Sequence, residues 1–185
     1  MIFSIHLHRE ELPYWGPELR PHFILSQFRV EGSALAAFLG PCDVKTDHLV
    51  DWEDRLVNDT IRSARMVHFL GEFFGITLRE GVWLQRLLIA QIFEDLTMQG
   101  VQGLRRDGDD LFIADRKLSV SIVTASAVSV LLHAGINVDA SGAPVPAVGL
   151  EEFELDPIAF AQRTLERFST EWESVFRATT KVRPV

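Results

Sequence analysis

A mixed α+β domain, with helices covering a mostly antiparallel sheet, is the fold class this sequence predicts. Three observations carry that expectation. Residues 117–124 and 128–138 alternate apolar with small or polar side chains at the two-residue period of a strand. Residues 80–99 and 157–177 place apolar side chains at helical spacing. Between these runs, Pro and Gly punctuate the chain at "LPYWGPELRP", "LGPCDV", "RRDGDD" and "ASGAPVPAVG".

In chain order, "HFILSQFRVEGSALAAFL" reads as two short strands joined by a turn at Glu31-Gly32. From Asp51 to about Phe74 the pattern predicts a helix. Asp51, Glu53 and Asp54 put negative charge at its start, Leu56, Ile61, Met66, Phe69, Leu70 and Phe73 supply apolar stripes, and Gly75 is a stop. A second helix over 80–99 carries Val82, Trp83, Leu87, Ile89, Phe93 and Leu96, apolar on enough sides to be packed between other elements. Leu111–Ile113, a turn at Ala114-Asp115, the run Lys117–Thr124 and the run Val128–Val138 then follow closely, predicting an antiparallel meander over about 107–139. A closing helix runs from Pro157 to about Arg177, with Asp156 as N-cap and Pro157 at its first position.

With 185 residues the chain is expected to form one domain, residues 1–185. Its net charge of -8 opposes nucleic-acid binding, which needs basic density, and opposes a polybasic membrane anchor. No stretch approaches the roughly 18 apolar residues of a spanning helix. "MIFSIHLHREELPYWG" lacks the basic start and small-residue cleavage site of a signal peptide. The single cysteine, Cys42, excludes an intramolecular disulfide and fits a reducing compartment, so the expected location is cytoplasmic.

The strand alternation also points to a site. In 117–124 one face carries Lys117, Ser119 and Ser121; in 128–138 one face carries Ser129, His133 and Asn137. If those faces align across antiparallel neighbours, one surface offers a cation, hydroxyls, an imidazole and an amide, suited to a polar or anionic small ligand. Plain solvent exposure of one sheet face is the competing reading. Small residues beside one Lys and one His favour a binding face, because they leave room for a molecule against the sheet.

The segment "DDLFIADRKLSVSI" resembles the stretch of biotin and lipoate protein ligases in which an "ND" pair, a strand, a turn and a lysine-bearing strand follow one another. Downstream, "HAGINV" resembles the strand that those ligases and the related octanoyl transferases carry next. With "GPCDV" and "VDWED", the whole chain is similar to a small prokaryotic family, a domain of unknown function, related to that superfamily. The resemblance implies a biotin/lipoate ligase-like catalytic fold of the class II aminoacyl-tRNA synthetase type. It implies that Lys117 contacts an acyl carboxylate or phosphate, that Asn137 lines the same pocket, that Asp109 and Asp110 take the "ND" place, and that His133 sits at the transferase histidine position. The chain departs from the pattern in three places. Val120 stands where the ligases have glycine, no glycine-rich adenylate loop occurs in the N-terminal half, and no cysteine follows Asn137.

The expected partner is therefore a small carboxylic acid or its acyl group, with ATP and Mg2+ as cofactors if ligase chemistry is retained. Lys117 and His133 are the candidate catalytic residues; Ser119, Ser121, Ser129, Asn137, Asp109 and Asp110 are the candidate substrate-binding residues. Two alternatives stay open. One is a binding domain without adenylate chemistry; the other is a transferase or hydrolase with Cys42 as nucleophile beside His68 or His133. Asp51, Glu53 and Asp54 read as helix-start charges, with a metal or ammonium site as the minority reading. His68 and Glu72, one helical turn apart, are expected to pair structurally. No metal motif is present, and an open sheet edge would allow a homodimer.

Overall fold

The computed structural model describes residues 3–184. Its strands are β1 (Phe3–Leu7), β2 (Ser33–Val44), β3 (Ile61–Phe73), β4 (Leu104–Asp107), β5 (Asp110–Ile113), β6 (Arg116–Lys117), β7 (Ser119–Ala125) and β8 (Val130–Asp139). Its α-helices are α1 (Phe23–Phe28), α2 (Trp52–Leu56), α3 (Leu78–Met98) and α4 (Pro157–Thr180). A five-stranded sheet has the order β1-β2-β3-β8-β7, and a three-stranded sheet has the order β4-β5-β6. All pairings are antiparallel except β1 with β2. The fold is thus α+β with a mostly antiparallel sheet.

One face of the large sheet is the main core. Leu35, Val67, Phe69, Leu132, Ala134 and Ile136 pack there against Leu88 and Ile92 of α3 and Phe160 and Leu165 of α4. Both helices start where sequence chemistry stops the preceding chain. The Thr77 hydroxyl accepts from the Glu80 amide while the Glu80 carboxylate accepts from the Thr77 amide, a reciprocal cap on α3. Asp156 accepts from the Ile158 and Ala159 amides, and Pro157 opens α4. Arg163 of α4 then grips the buried Asp95 of α3 through two nitrogens, at 3.1 and 3.0 Å.

Four sequence expectations are corrected. The helix expected over Asp51–Phe74 is a five-residue α2 followed by the long strand β3. β3 is the central strand and is covered on both faces, so its apolar residues run almost continuously and imitate helical stripes. The strand expected at "HFILSQF" is α1: the adjacent Phe23 and Ile24 are both buried, and left-handed residues His22 and Arg29 flank the helix. Gly32, at φ 78, does turn the chain, but from helix into strand. Finally, the meander over 107–139 is split, since β5 and β6 belong to the small sheet and only β7 and β8 pair in the large one.

Candidate functional site

The second face of the large sheet is only partly covered. The N-terminal segment runs beside β2, with the His8 amide on the Ala37 carbonyl, Leu12 on Leu39 and Tyr14 on Pro41, so that Tyr14 comes to lie over the sheet. Its passage depends on Gly40, where any Cβ would land on the Leu12 carbonyl oxygen. Tyr14, Phe23, Phe38, Met66 and Leu70 make a small second core there. Beyond it the face opens into a cleft of about 300 Å³, at the low end of ligand pockets. Its floor includes Met66, Val120, His133 and Asn137; residues 48–51 with Asp54, 59–62, and 143–145 with Ala147 form its walls.

Lys117 stands at this cleft with its backbone fixed on both sides. Its amide donates to the Pro146 carbonyl, and its carbonyl accepts from the Val148 amide and from Asn137 Nδ2 at 3.2 Å. Its ammonium pairs with Asp110 at 2.9 Å. Burial raises the Asp110 carboxyl above the ordinary carboxylate range, against the opposing pull of Lys117. Asp109 is held by Arg86 at 3.1 Å and accepts from Gln85 and from the Ser121 hydroxyl.

His133 sits under Tyr14, ring centroids 3.8 Å apart and nearly parallel at 9°. His133 Nε2 lies 3.1 Å from His68 Nδ1, and His68 Nε2 lies 3.2 Å from the Gly40 carbonyl. His68 is fully enclosed and His133 nearly so. Burial depresses His68 to about 4 and His133 well below its ordinary range, the latter helped by His68. These facts fix the protons. A carbonyl can only accept, so His68 carries its proton on Nε2 and accepts at Nδ1. His133 must then donate from Nε2, which leaves its Nδ1 a bare lone pair. Asn137 is equally committed: its Nδ2 serves Lys117, and its buried Oδ1 has no hydrogen-bond partner.

The cleft therefore collects Lys117, His133, Asn137, Asp109, Asp110, Ser119 and Ser121. The predicted alignment of faces is corrected. Ser119 pairs with Ile136 and Ser121 with Ala134, so both serines share the helix-facing side, while Val120 and Ile122 share the face of His133. A one-residue difference in register exchanges the faces of a strand, and alternation alone does not fix register. Ser119 accepts from the Leu111 amide and Ser121 contacts Asp109, so both tie the small sheet to the edge strand β7. Ser129 lies apart from the cleft and donates to Glu72 at 2.7 Å. Glu72 also receives the His22 amide, so the expected helical pairing of His68 with Glu72 is replaced by two separate partnerships on a strand. Cys42 is buried on β2, and burial with the nearby Asp43 pushes its thiol up to about 12, so it stays protonated at neutral pH.

Sequence reading missed Tyr14, Asp59, Arg62 and the role of His68. Asp51 accepts from the Glu53 amide as the α2 cap, as its position suggested, yet it also lines the cleft with Asp54 and Asp59. Desolvation and those two carboxylates raise Asp54, while Lys117 opposes them. Among the described residues, no three His, Cys, Asp or Glu converge as a metal cage, and no helix is long and apolar enough to cross a membrane.

Residues 3–183 match a domain of unknown function, DUF366. The chain belongs to the DUF366 family. It is 29% identical over 188 residues to the uncharacterized protein MJ0805 of Methanocaldococcus jannaschii, covering 98% of this chain and 85% of that one. A protein of unknown function from Pyrococcus horikoshi superposes with a TM-score of 0.91 at 37% identity, covering 98% of this chain and 99% of that one. Biotin protein ligase from Aquifex aeolicus, solved with biotin and ATP, gives 0.57 at 15% identity over 89% of this chain and 69% of its own. Protein Ta0514 of T. acidophilum, solved with bound lipoic acid, gives 0.56 at 12% identity over 92% and 86%. The fold resembles that of biotin and lipoate ligase catalytic domains. At such identity the likeness is one of fold.

Proposed function

We propose that the cleft binds a small carboxylic acid and activates or transfers its acyl group. The observation that carries this reading is the setting of Lys117 in a cleft of a ligase-like fold, its backbone bonded to Pro146 and Val148 and its ammonium held by Asp110. An ammonium fixed in that way stabilises charge developing on an acyl or phosphoryl oxygen without moving. His133 contributes a proton acceptor of defined orientation, since His68 and the Gly40 carbonyl hold its tautomer. Asn137 orients the same region through Lys117. If phosphate chemistry is retained, ATP and magnesium are the co-reactants. Asp109 and Asp110 would then be the hard oxygen donors nearest the cleft for magnesium, in competition with Arg86 and Lys117.

The test is ATP–pyrophosphate exchange with a panel of acids including biotin, lipoate and octanoate. Exchange that depends on one acid and is lost in Lys117→Ala supports acyl activation. The small volume of the cleft favours a second reading, binding of an acid without a nucleotide. Absent exchange with retained acid binding would select it.

A further inference from the structure

The floor of the cleft presents two acceptors with nothing donating to them, Asn137 Oδ1 and His133 Nδ1. Asn137 is 5% exposed and its Oδ1 has no partner; one N–H of the same amide donates to the Lys117 carbonyl, which fixes the orientation. His133, 3% exposed, presents a bare Nδ1 for the reason given above. The walls reinforce this. Among the described lining residues five are aspartates against two permanent cations, Lys117 and Arg62, while Arg86 from outside the lining pairs with Asp109. Lys117 is already paired with Asp110. Asp54, Asp110 and Asn137 line the same cleft, and Lys117 links the last two, its ammonium on Asp110 and its carbonyl on Asn137.

A bare acid entering this corner meets carboxylates of like charge, and the lysine beside it is already paired. A ligand that brings its own N–H bonds and positive charge satisfies both the orphan acceptors and the carboxylates. We infer that the acid taken by this cleft is an amino-substituted one, its ammonium seated among Asn137 Oδ1, His133 Nδ1 and Asp54 while its carboxylate faces Lys117. This deepens the proposed function and rests on its assignment of the acid to Lys117.

The experiment is titration calorimetry of the wild-type protein with matched pairs: octanoate against 8-aminooctanoate, and hexanoate against 6-aminohexanoate. Magnesium chloride alone forms a further arm. The aminated acid of at least one pair is expected to bind about tenfold or more tightly than its partner. Asp54→Asn, a change at a partly exposed position, should cut that preference severalfold and leave the unsubstituted acid no weaker. Equal or stronger binding of the unsubstituted acids, or no binding of either class, overturns the inference. So does magnesium that saturates the site and abolishes the amine preference, because the acceptors would then belong to a metal. Pyrophosphate exchange with the same acids separates this inference from the function it rests on. An amine preference without exchange leaves the inference standing and defeats acyl activation. Exchange with octanoate but not 8-aminooctanoate does the reverse.

Discussion

Acidification should weaken this protein through its buried histidine pair before its carboxylates protonate. In the unfolded chain each histidine titrates near 6.5, whereas in the native sheet His68 is held to about 4 and His133 well below its ordinary range. Folded values below the unfolded ones mean that the stabilisation is complete above pH 6.5 and is lost as pH falls toward the folded values. For His68 the interval from 6.5 to about 4, at about 1.4 kcal/mol per pH unit, amounts to about 3 kcal/mol, and His133 adds a loss of the same sign. Asp54 and Asp110 have raised values and act in the opposite direction, so the wild-type curve alone mixes the two. His133→Phe separates them. It keeps a ring under Tyr14, removes one titrating group and leaves His68 Nδ1 without its donor, at a cost of about 1–3 kcal/mol at neutral pH. Urea unfolding from pH 7 downward should show the wild type losing stability faster than the variant below pH 6.5, by about 1.4 kcal/mol per unit. Parallel curves for the two proteins would refute the buried neutral pair.

Two further outcomes test the packing that builds the cleft. Gly40→Ala drives a Cβ into the Leu12 carbonyl, a backbone atom that cannot swing away, so thermal unfolding should show a loss of about 1–3 kcal/mol or more. Cys42, with its thiol pushed up to about 12 and shielded on β2, should resist alkylation in native buffer at pH 8 and react promptly in urea; fast native labelling would contradict its burial.

Local chemistry was enough where an element is defined by its ends or by one wet face. α4 was legible because Asp156 and Pro157 are caps that act within one turn, and α3 from the helical spacing of its apolar residues. β3 was not, because a strand buried on both faces loses its alternation, and only its place between β2 and β8 explains its residues. At the site, Lys117, His133 and Asn137 were legible from strand period and from the likeness to ligases. The placement of Ser119 and Ser121 was misjudged by one step of register. Tyr14, Asp54 and Asp59 reach the cleft from segments distant in sequence from β7 and β8, and only the fold brings them there. His68 was read on a helix, so its contact with His133, 65 residues away, had no local signal.

The measurement closest to the central claim is equilibrium binding of small carboxylic acids, aminated and plain, to the wild-type protein and to Lys117→Ala, followed by calorimetry without nucleotide. Saturable binding of at least one acid, weakened about tenfold or more by Lys117→Ala while the variant still unfolds in one cooperative transition, is the expected result. Affinity that is the same in both proteins would place any acid away from Lys117 and contradict the account.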